Sequence, residues 1–325
     1  MSIQNSLRRL LITAALLACT THLPVKAAEK SVRITAIVEH PALDAVRQGI
    51  LDELRQHGYL PGDNLDWEFQ SAQGDAGIAG QIARKFVGDA PDAIVAIATP
   101  SAQAVAAAAH GTLPVIFSAV TDPLDARLVD NLERPGGNVT GVSDLLPLEQ
   151  HLALIREIVP DAGAVGIPYN PGEANAAVLV KRIEAMAPGL GLKIVTASAP
   201  TTGDVLMAAR SLVGKVDVIY VTTDNTVIAA FESVLKVGRE ARIPVIAGDT
   251  DTVSRGAVAA VGFDYYDVGR QTGVLLLRVL NGEHPGDIAV RGVEKNRLHL
   301  NPASARTMGV ELSSGLIQRA ARIVE

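Results

Sequence analysis

The stretch VRITAIVEHPALDAVRQGILDELRQHGY (32–59) contains a strand pattern followed by a helix pattern. Its first seven residues are mostly β-branched or apolar, which is typical of a buried strand. Apolar residues then recur at intervals of three and four, and charged residues occupy the opposite face. These apolar positions are Leu43, Val46, Ile50 and Leu54. Because Pro41 suits a first helical turn and Gly58 suits a helix end, the stretch predicts one strand–helix unit.

The same unit repeats along most of the chain. Further strand patterns, each followed by a helical stretch, are DAIVAIA (92–98), PVIFSAV (114–120), AVGIPYN (164–170), DVIYVTT (217–223) and PVIAGD (244–249). Continuous apolar strands that alternate with helices indicate parallel sheets covered on both faces. The pattern restarts at NVTGVSD (138–144), and roughly ten strands exceed one small sheet. We therefore predict an α/β fold of two Rossmann-like lobes with parallel sheets.

Composition excludes several classes of protein. The 325 residues are 48% hydrophobic and 20% charged, which is typical of a globular chain rather than a disordered one. The net charge is -6 and no long basic run occurs, so nucleic acid is not an expected partner. Cys19 is the one cysteine, which excludes a disulfide framework and a cysteine zinc site.

Residues 1–27 resemble a secretory signal. Arg8 and Arg9 precede the apolar segment LLITAALLAC (10–19), and small residues follow near Ala27. We expect a signal peptide that directs the mature protein to the periplasm. The alternative is lipoprotein processing, which would leave the protein anchored at Cys19.

Polar residues cluster where the predicted strands end. In parallel sheets this edge binds ligands, because loops there lead into helix N-termini. The same residue types are also preferred helix N-caps, so each one alone has a structural alternative. The polar strand ends are Glu39-His40, Thr99-Pro100-Ser101, Ser118 with Thr121-Asp122, Asn170 with Glu173, Asp224-Asn225 and Gly248-Asp249.

Common catalytic motifs are missing from the sequence. It contains no GxSxG, HExxH, Walker or strand-linked GxGxxG pattern. An acid–base pair drawn from Glu39, Glu173 and Asp249 remains the enzyme alternative. No metal site or cofactor is predicted.

Eight segments carry a resemblance to a known family. They are VEHPALDAVRQGILDELRQHGY, AIATPSAQA, PVIFSAVTDP, PGGNVTGVSD, YNPGEANA, YVTTDNTV, PVIAGDTDTV and VGFDYYDVGRQTG. Together they resemble ABC transporter substrate-binding proteins of the tryptophan/tyrosine type, in order across nearly the whole mature chain. Ser101 stands where members of that family commonly have alanine.

The resemblance implies a type I periplasmic-binding-protein fold with three crossings between lobes. We expect lobe one at 28–142 plus 264–286 and lobe two at 143–263 plus 287–325. A helix over 267–280 is expected to pack on lobe one. The resemblance also implies no catalysis, a monomer, and an ABC permease and ATPase as partners.

A zwitterionic amino acid suits the residue types at the cleft, and the resemblance implies an aromatic one. We expect its carboxylate at Thr99–Ser101 and Ser118–Thr121, where hydroxyls and helix amides lie. Its ammonium is expected at Asp249 or Asp224. The full predicted ligand set is Glu39, His40, Thr99, Pro100, Ser101, Ser118, Thr121, Asp122, Asn170, Glu173, Asp224, Asn225, Asp249 and Tyr265.

The ligand's side chain is not fixed by sequence, because aromatic residues are only 3% of the chain. Aliphatic amino acids or another small metabolite remain alternatives. A ligand-sensing module for a membrane receptor would have the same fold and cleft.

Overall fold

The computed structural model describes residues 29–293 and 296–324. The predicted signal segment 1–27, with Cys19, lies outside the described residues. No helix in the described ranges is both long enough and apolar enough to cross a membrane.

The first lobe is built on a five-stranded parallel sheet with strand order β2-β1-β3-β4-β5. Its strands are β1 (Lys30–Ala36), β2 (Leu65–Ser71), β3 (Ala93–Ile97), β4 (Val115–Val120) and β5 (Val139–Ser143). The helices between them are α1 (Pro41–Gln56), α2 (Ala76–Gly88) and α3 (Thr99–Ala109). Every residue of β3 and β4 is buried, because helices cover both faces of a parallel sheet.

The second lobe contains a seven-stranded sheet with order β12-β11-β10-β9-β8-β6-β7. Its strands are β6 (Ala164–Tyr169), β7 (Lys193–Ser198), β8 (Val218–Val221), β9 (Val245–Ala247), β10 (Ala259–Gly262), β11 (Arg297–Leu300) and β12 (Arg322–Ile323). Its helices are α4 (Leu148–Ile158), α5 (Ala174–Met186), α6 (Val205–Ser211), α7 (Asn225–Ala229), α8 (Phe231–Ala241), α9 (Asp251–Arg255), α11 (Pro302–Thr307) and α12 (Ser314–Arg319). Only the β10–β11 pair is antiparallel among the described strands. The predicted two-lobed α/β fold is confirmed.

Helix α10 (Tyr265–Leu280) follows β10 but packs against α1 of the first lobe, as predicted. A Cβ atom at Gly269 would overlap the carbonyl oxygen of Val46, so only glycine permits this close approach. The helix begins two residues before the predicted position 267, because Asp264 caps it by accepting a hydrogen bond from the amide of Tyr266 at 2.9 Å.

Two details differ from the sequence expectation. The segment NVTGVSD (138–144) does not restart the pattern: it forms β5, the last strand of the first sheet. The segment around Arg291 is also bonded to β5, beyond the expected crossing at 285–287. The amide of Arg291 donates to the carbonyl of Gly141 at 3.0 Å, and the amide of Ser143 donates to the carbonyl of Arg291 at 2.7 Å. The lobe boundary at 286/287 stays a prediction.

Candidate ligand-binding site

A small cavity lies between the lobes, at the carboxyl ends of both sheets. This is the edge where open α/β sheets bind ligands. The lining residues are His40, Leu43, Thr99, Ala119, Thr121, Asp144, Asn175, Thr223, Asp224, Asn225, Ile228, Asp249 and Tyr265.

Two buried carboxylates face the end of the cavity near the crossings between lobes. Asp144 follows β5 and Asp249 follows β9, and each is 3% exposed. Asp144 accepts hydrogen bonds from the phenol of Tyr265 at 3.0 Å and from the hydroxyl of Thr121 at 3.3 Å. Asp249 accepts one from the amide of Asp251 at 2.8 Å. We call Asp144 and Asp249 the acidic pair.

Burial disfavours the charged forms of the acidic pair. Loss of water raises the pKa of Asp144 to about 6, although its hydrogen bonds from Tyr265 and Thr121 oppose the shift. Burial raises the pKa of Asp249 to about 7, and the nearby charges of Asp251 and Asp144 add to the effect. The described residues that line the cavity include no lysine or arginine. This end of the cavity is therefore suited to a cationic group.

A second layer of polar side chains holds the N-terminus of α7 in place. Glu173 accepts from the amide of Thr226 at 3.0 Å and from its hydroxyl at 2.7 Å. It also accepts from the side-chain amide of Asn225 at 2.6 Å. Asp224 accepts from the amides of Val227 at 2.9 Å and Asn170 at 2.5 Å. Both oxygens of Asp224 thus have protein partners, whereas only Oδ1 of Asp249 accepts a hydrogen bond from a described residue.

Several buried polar atoms beside the cavity have no hydrogen-bond partner among the described residues. On the first lobe these are Nδ1 of His40 and the hydroxyls of Thr99 and Ser101. Burial, and then the nearby charge of Arg255, lowers the pKa of His40 to about 3, so its ring is neutral. Since a buried polar atom without a partner costs stability, such atoms mark places where a ligand gains hydrogen bonds.

The structure brings half of the predicted ligand residues to the cavity wall. These are His40, Thr99, Thr121, Asp224, Asn225, Asp249 and Tyr265. That they contact ligand remains a prediction.

The other predicted residues do not line this cavity. Glu39 is exposed to solvent. Ser118 faces α10, where its hydroxyl hydrogen-bonds to that of Thr272 at 2.6 Å. Glu173 and Asn170 belong to the second layer. Pro100, Ser101 and Asp122 are not among its lining residues.

Sequence reasoning missed Asp144, Asn175 and Thr223 among the polar lining residues. Asp144 had a usable signal, since it is the polar residue that directly follows β5. The apolar lining residues Leu43, Ala119 and Ile228 carry no comparable signal.

An ion pair connects the two lobes outside the cavity. Arg182 on α5 of the second lobe donates a hydrogen bond to the carboxylate of Asp122, which follows β4 of the first lobe. The pair requires the lobes to be close together.

The described residues contain no group of three or more His, Cys, Asp or Glu side chains arranged to hold a metal ion.

Two lobes joined by three crossings, with a polar cavity between them, are the architecture of a small-molecule binding protein.

The chain belongs to the family of ABC transporter substrate binding proteins, which it matches over residues 31–324. A tyrosine-binding protein from Clostridioides difficile (strain R20291) is 40% identical over 283 residues, which is 87% of this chain and 82% of that protein.

Two solved structures identify the arrangement of the lobes. An ABC domain from Streptococcus pneumoniae in complex with L-Trp is 32% identical, with a TM-score of 0.88 over 91% of this chain and 100% of that one. The ligand-free, open structure of a substrate binding protein with adhesive properties from Clostridium difficile is 38% identical, with a TM-score of 0.68 over 91% of this chain and 99% of that one. Because the less identical chain superposes better, the lobes here are arranged as in the ligand-bound relative.

Proposed function

We propose that this protein captures an aromatic L-amino acid between its lobes and delivers it to an ABC importer. The observation that carries this proposal is the acidic pair. Asp144 and Asp249 are both buried beside the cavity, and no lysine or arginine lines it within the described ranges. An α-ammonium group supplies the positive charge that this pair favours.

The first lobe offers partners for the α-carboxylate. Helix α3 begins at Thr99 in the cavity wall, and its N-terminal end favours an anion there, although Pro100 contributes no amide. The hydroxyls of Thr99 and Ser101 are buried there without partners among the described residues. The carboxylate of the zwitterion would then contact the first lobe, and its ammonium group would contact the acidic pair. Because both contacts form together when the lobes are closed, the ligand would favour the closed form.

The apolar part of the cavity wall supports an aromatic side chain on the ligand, in addition to its ammonium and carboxylate groups. Leu43, Ile228 and the ring of Tyr265 belong to the cavity wall. The relatives named for their ligands, one as a tyrosine-binding protein and one as a complex with L-Trp, support the same class of ligand.

We further propose that residues 1–27 direct export and that the mature protein acts as a monomer in the periplasm, or is anchored there through Cys19. Its partners would be a membrane permease and an ATPase. Binding would involve no catalysis and no cofactor. The enzyme alternative is disfavoured because Glu39 is exposed and Glu173 is held by several hydrogen bonds.

Thermal unfolding of residues 28–325 with each of the twenty amino acids tests the proposal. A ligand at 100 times its Kd adds about 2.7 kcal/mol to stability, which shifts the Tm by several degrees in a chain of this size. We expect such shifts with aromatic L-amino acids and none with their D-enantiomers. A panel without any shift would contradict the proposal.

A further inference from the structure

A buried histidine and a buried tyrosine meet in the core of the second lobe, outside the cavity wall. His151 belongs to α4 and Tyr220 to β8. Nδ1 of His151 and the phenol oxygen of Tyr220 are hydrogen-bonded at 2.5 Å, and the rings meet edge to face with their centres 5.7 Å apart. Burial lowers the pKa of His151 to about 3, although the backbone of Val261 opposes the shift, so the ring is neutral. We call His151 and Tyr220 the His–Tyr pair.

The His–Tyr pair leaves one polar hydrogen without an acceptor among the described residues. Nε2 of His151 is buried and has no hydrogen-bond partner there. If the phenol donates to Nδ1, the ring proton lies on Nε2 and is unpaired, and if Nδ1 donates, the phenol proton is unpaired. Because an unpaired buried donor costs stability, two apolar side chains of similar size would stabilise the fold at least as well. Stability alone therefore does not explain the pair.

The His–Tyr pair packs against the backbone of Gly248, the residue that follows β9. A Cβ atom at Gly248 would lie 3.4 Å from the phenol oxygen of Tyr220 and 3.5 Å from Cε1 of His151. The same atom would lie 2.7 Å from Cδ1 of Leu146, which is closer than packed carbon atoms allow. The amide of Gly248 also donates to the carbonyl of Val221 at 2.9 Å. Gly248 is thus held in place against the pair.

The two segments that carry the acidic pair meet at this cluster. Asp249 is the residue after Gly248, and Asp144 precedes Leu146 by two residues. The close approach of Leu146 to Gly248 therefore joins the segment of one carboxylate to the segment of the other. Since the charges of Asp144 and Asp249 repel each other, their spacing depends on the packing behind them.

We propose that His151 and Tyr220 are positioning residues, which hold the Gly248–Asp249 turn against the Asp144 segment and so set the spacing of the acidic pair. The inference rests on the proposed function, since it takes the ligand's ammonium group to bind at Asp144 and Asp249. A hydrogen bond between two packed rings fixes the orientation of both side chains, which an apolar pair of the same size does not. Residues that contact no ligand act in this way when they lock the geometry of those that do.

The double variant His151→Leu/Tyr220→Phe tests the pair, because it removes the hydrogen bond and the unpaired hydrogen together. We expect the Tm of the ligand-free variant to equal or exceed that of the wild-type protein. The Kd for L-tyrosine should rise by about tenfold, since the carboxylates are no longer held at their spacing. Thermal unfolding and calorimetric titration measure the two quantities.

The pH dependence of affinity separates positioning from packing. Burial and the charges of Asp251 and Asp144 raise the pKa of Asp249, and the charge of Arg255 opposes them. A looser acidic pair is further apart or admits water, and either change lowers that pKa. The pH below which the affinity for L-tyrosine falls should therefore be lower in the double variant than in the wild-type protein.

The matched control is Thr272→Val, which removes a buried 2.6 Å hydrogen bond to Ser118 between α10 and β4. Loss of this bond should lower the Tm and leave the Kd for L-tyrosine and its pH dependence as in the wild-type protein.

A wild-type Kd in the double variant, or a raised Kd with an unchanged pH dependence, would overturn the inference and leave the proposed function intact. Failure of the wild-type protein to bind L-tyrosine, L-tryptophan or L-phenylalanine would overturn both. If the double variant does not fold, Tyr220→Phe alone is measured in the same way, and an unchanged pH dependence there would equally overturn the inference.

Discussion

The phenol of Tyr265 donates a 3.0 Å hydrogen bond to Oδ2 of Asp144, and this bond joins two of the segments that cross between the lobes. Asp144 follows β5, and Tyr265 begins α10. Because closure of such proteins rotates the lobes about their crossings, the bond ties the geometry of the acidic pair to the hinge. If the ligand binds at this pair, as proposed, its binding should be coupled to closure of the lobes.

The variant Asp249→Asn should weaken amino-acid binding by about 2 to 5 kcal/mol, because it removes one carboxylate from the proposed ammonium site. The ligand-free variant should be at least as stable as wild type, since the change removes a buried charge that Asp251 and Asp144 repel. Calorimetry and thermal unfolding measure the two effects. Asp161→Asn, on an exposed residue, is the control. Unchanged affinity in Asp249→Asn would exclude Asp249 as the ammonium partner.

The variant Tyr265→Phe should weaken binding by about 1.5 to 3 kcal/mol, the typical value of a hydrogen bond to a charged group. The phenol favours the ionised form of Asp144, so its loss should raise the pKa of Asp144 and move the pH dependence of affinity upward. Tyr266→Phe is the matched control, because that phenol donates instead to Asp52 at 3.2 Å. An identical pH profile in Tyr265→Phe and wild type would contradict this role.

Acidification should act in opposite directions on stability and on affinity. The pKa values of Asp144 and Asp249 are higher in the folded protein than in the unfolded chain, so between about pH 5 and 7 the folded state binds more protons. Their contribution to the free energy of unfolding of the ligand-free protein is therefore fully present below about pH 4, the pKa of an unfolded Asp, and is lost as the pH rises through the folded pKa values of about 6 and about 7.

Binding of an ammonium group requires the ionised carboxylates, so the affinity should fall as the pH drops over the same range. Ligand-free Tm values and calorimetric Kd values across this range measure both trends. Asp249→Asn should flatten both curves, and an affinity that does not change with pH would contradict the acidic-pair site.

The two lobes of the variant Arg182→Gln should separate more easily than those of the wild-type protein, because the substitution removes the ion pair with Asp122 that connects them. Partly exposed ion pairs are worth about 0.2 to 1 kcal/mol, so the ligand dissociation rate should rise by a few-fold at most. Stopped-flow dissociation measures this rate at low and high salt. Lys181→Gln, on the preceding residue of α5, is the control and should dissociate like wild type. Equal rates for both variants would show that the ion pair does not hold the lobes together.

The sequence predicted the fold well because the signal is repeated and local. Each buried strand is a short apolar run, and each is followed by a periodic helix such as Pro41–Gln56. The hydrogen bonds between Arg291 and the β5 segment could not be predicted, because they are long-range and leave no local pattern.

The site was predicted in part, for a related reason. Polar residues after strands could be found, but the direction of each side chain depends on tertiary packing. Ser118 lies in a strand that is buried on both faces, so its sequence shows no alternation of polar and apolar residues. The direction of the Ser118 hydroxyl, which hydrogen-bonds to Thr272, therefore could not be predicted. Asp144 was missed because its segment was interpreted as the start of a second lobe rather than as the end of β5.

The most direct test of the account compares L-tyrosine with 3-(4-hydroxyphenyl)propanoate, which differs only in lacking the α-ammonium group. Calorimetric titration of the mature protein with each compound gives the contribution of that group. The ammonium-free analogue should bind at least about 30-fold more weakly, since it leaves Asp144 and Asp249 without a counter-charge. Equal affinity for the two compounds would contradict the acidic pair as the site of amino-acid recognition.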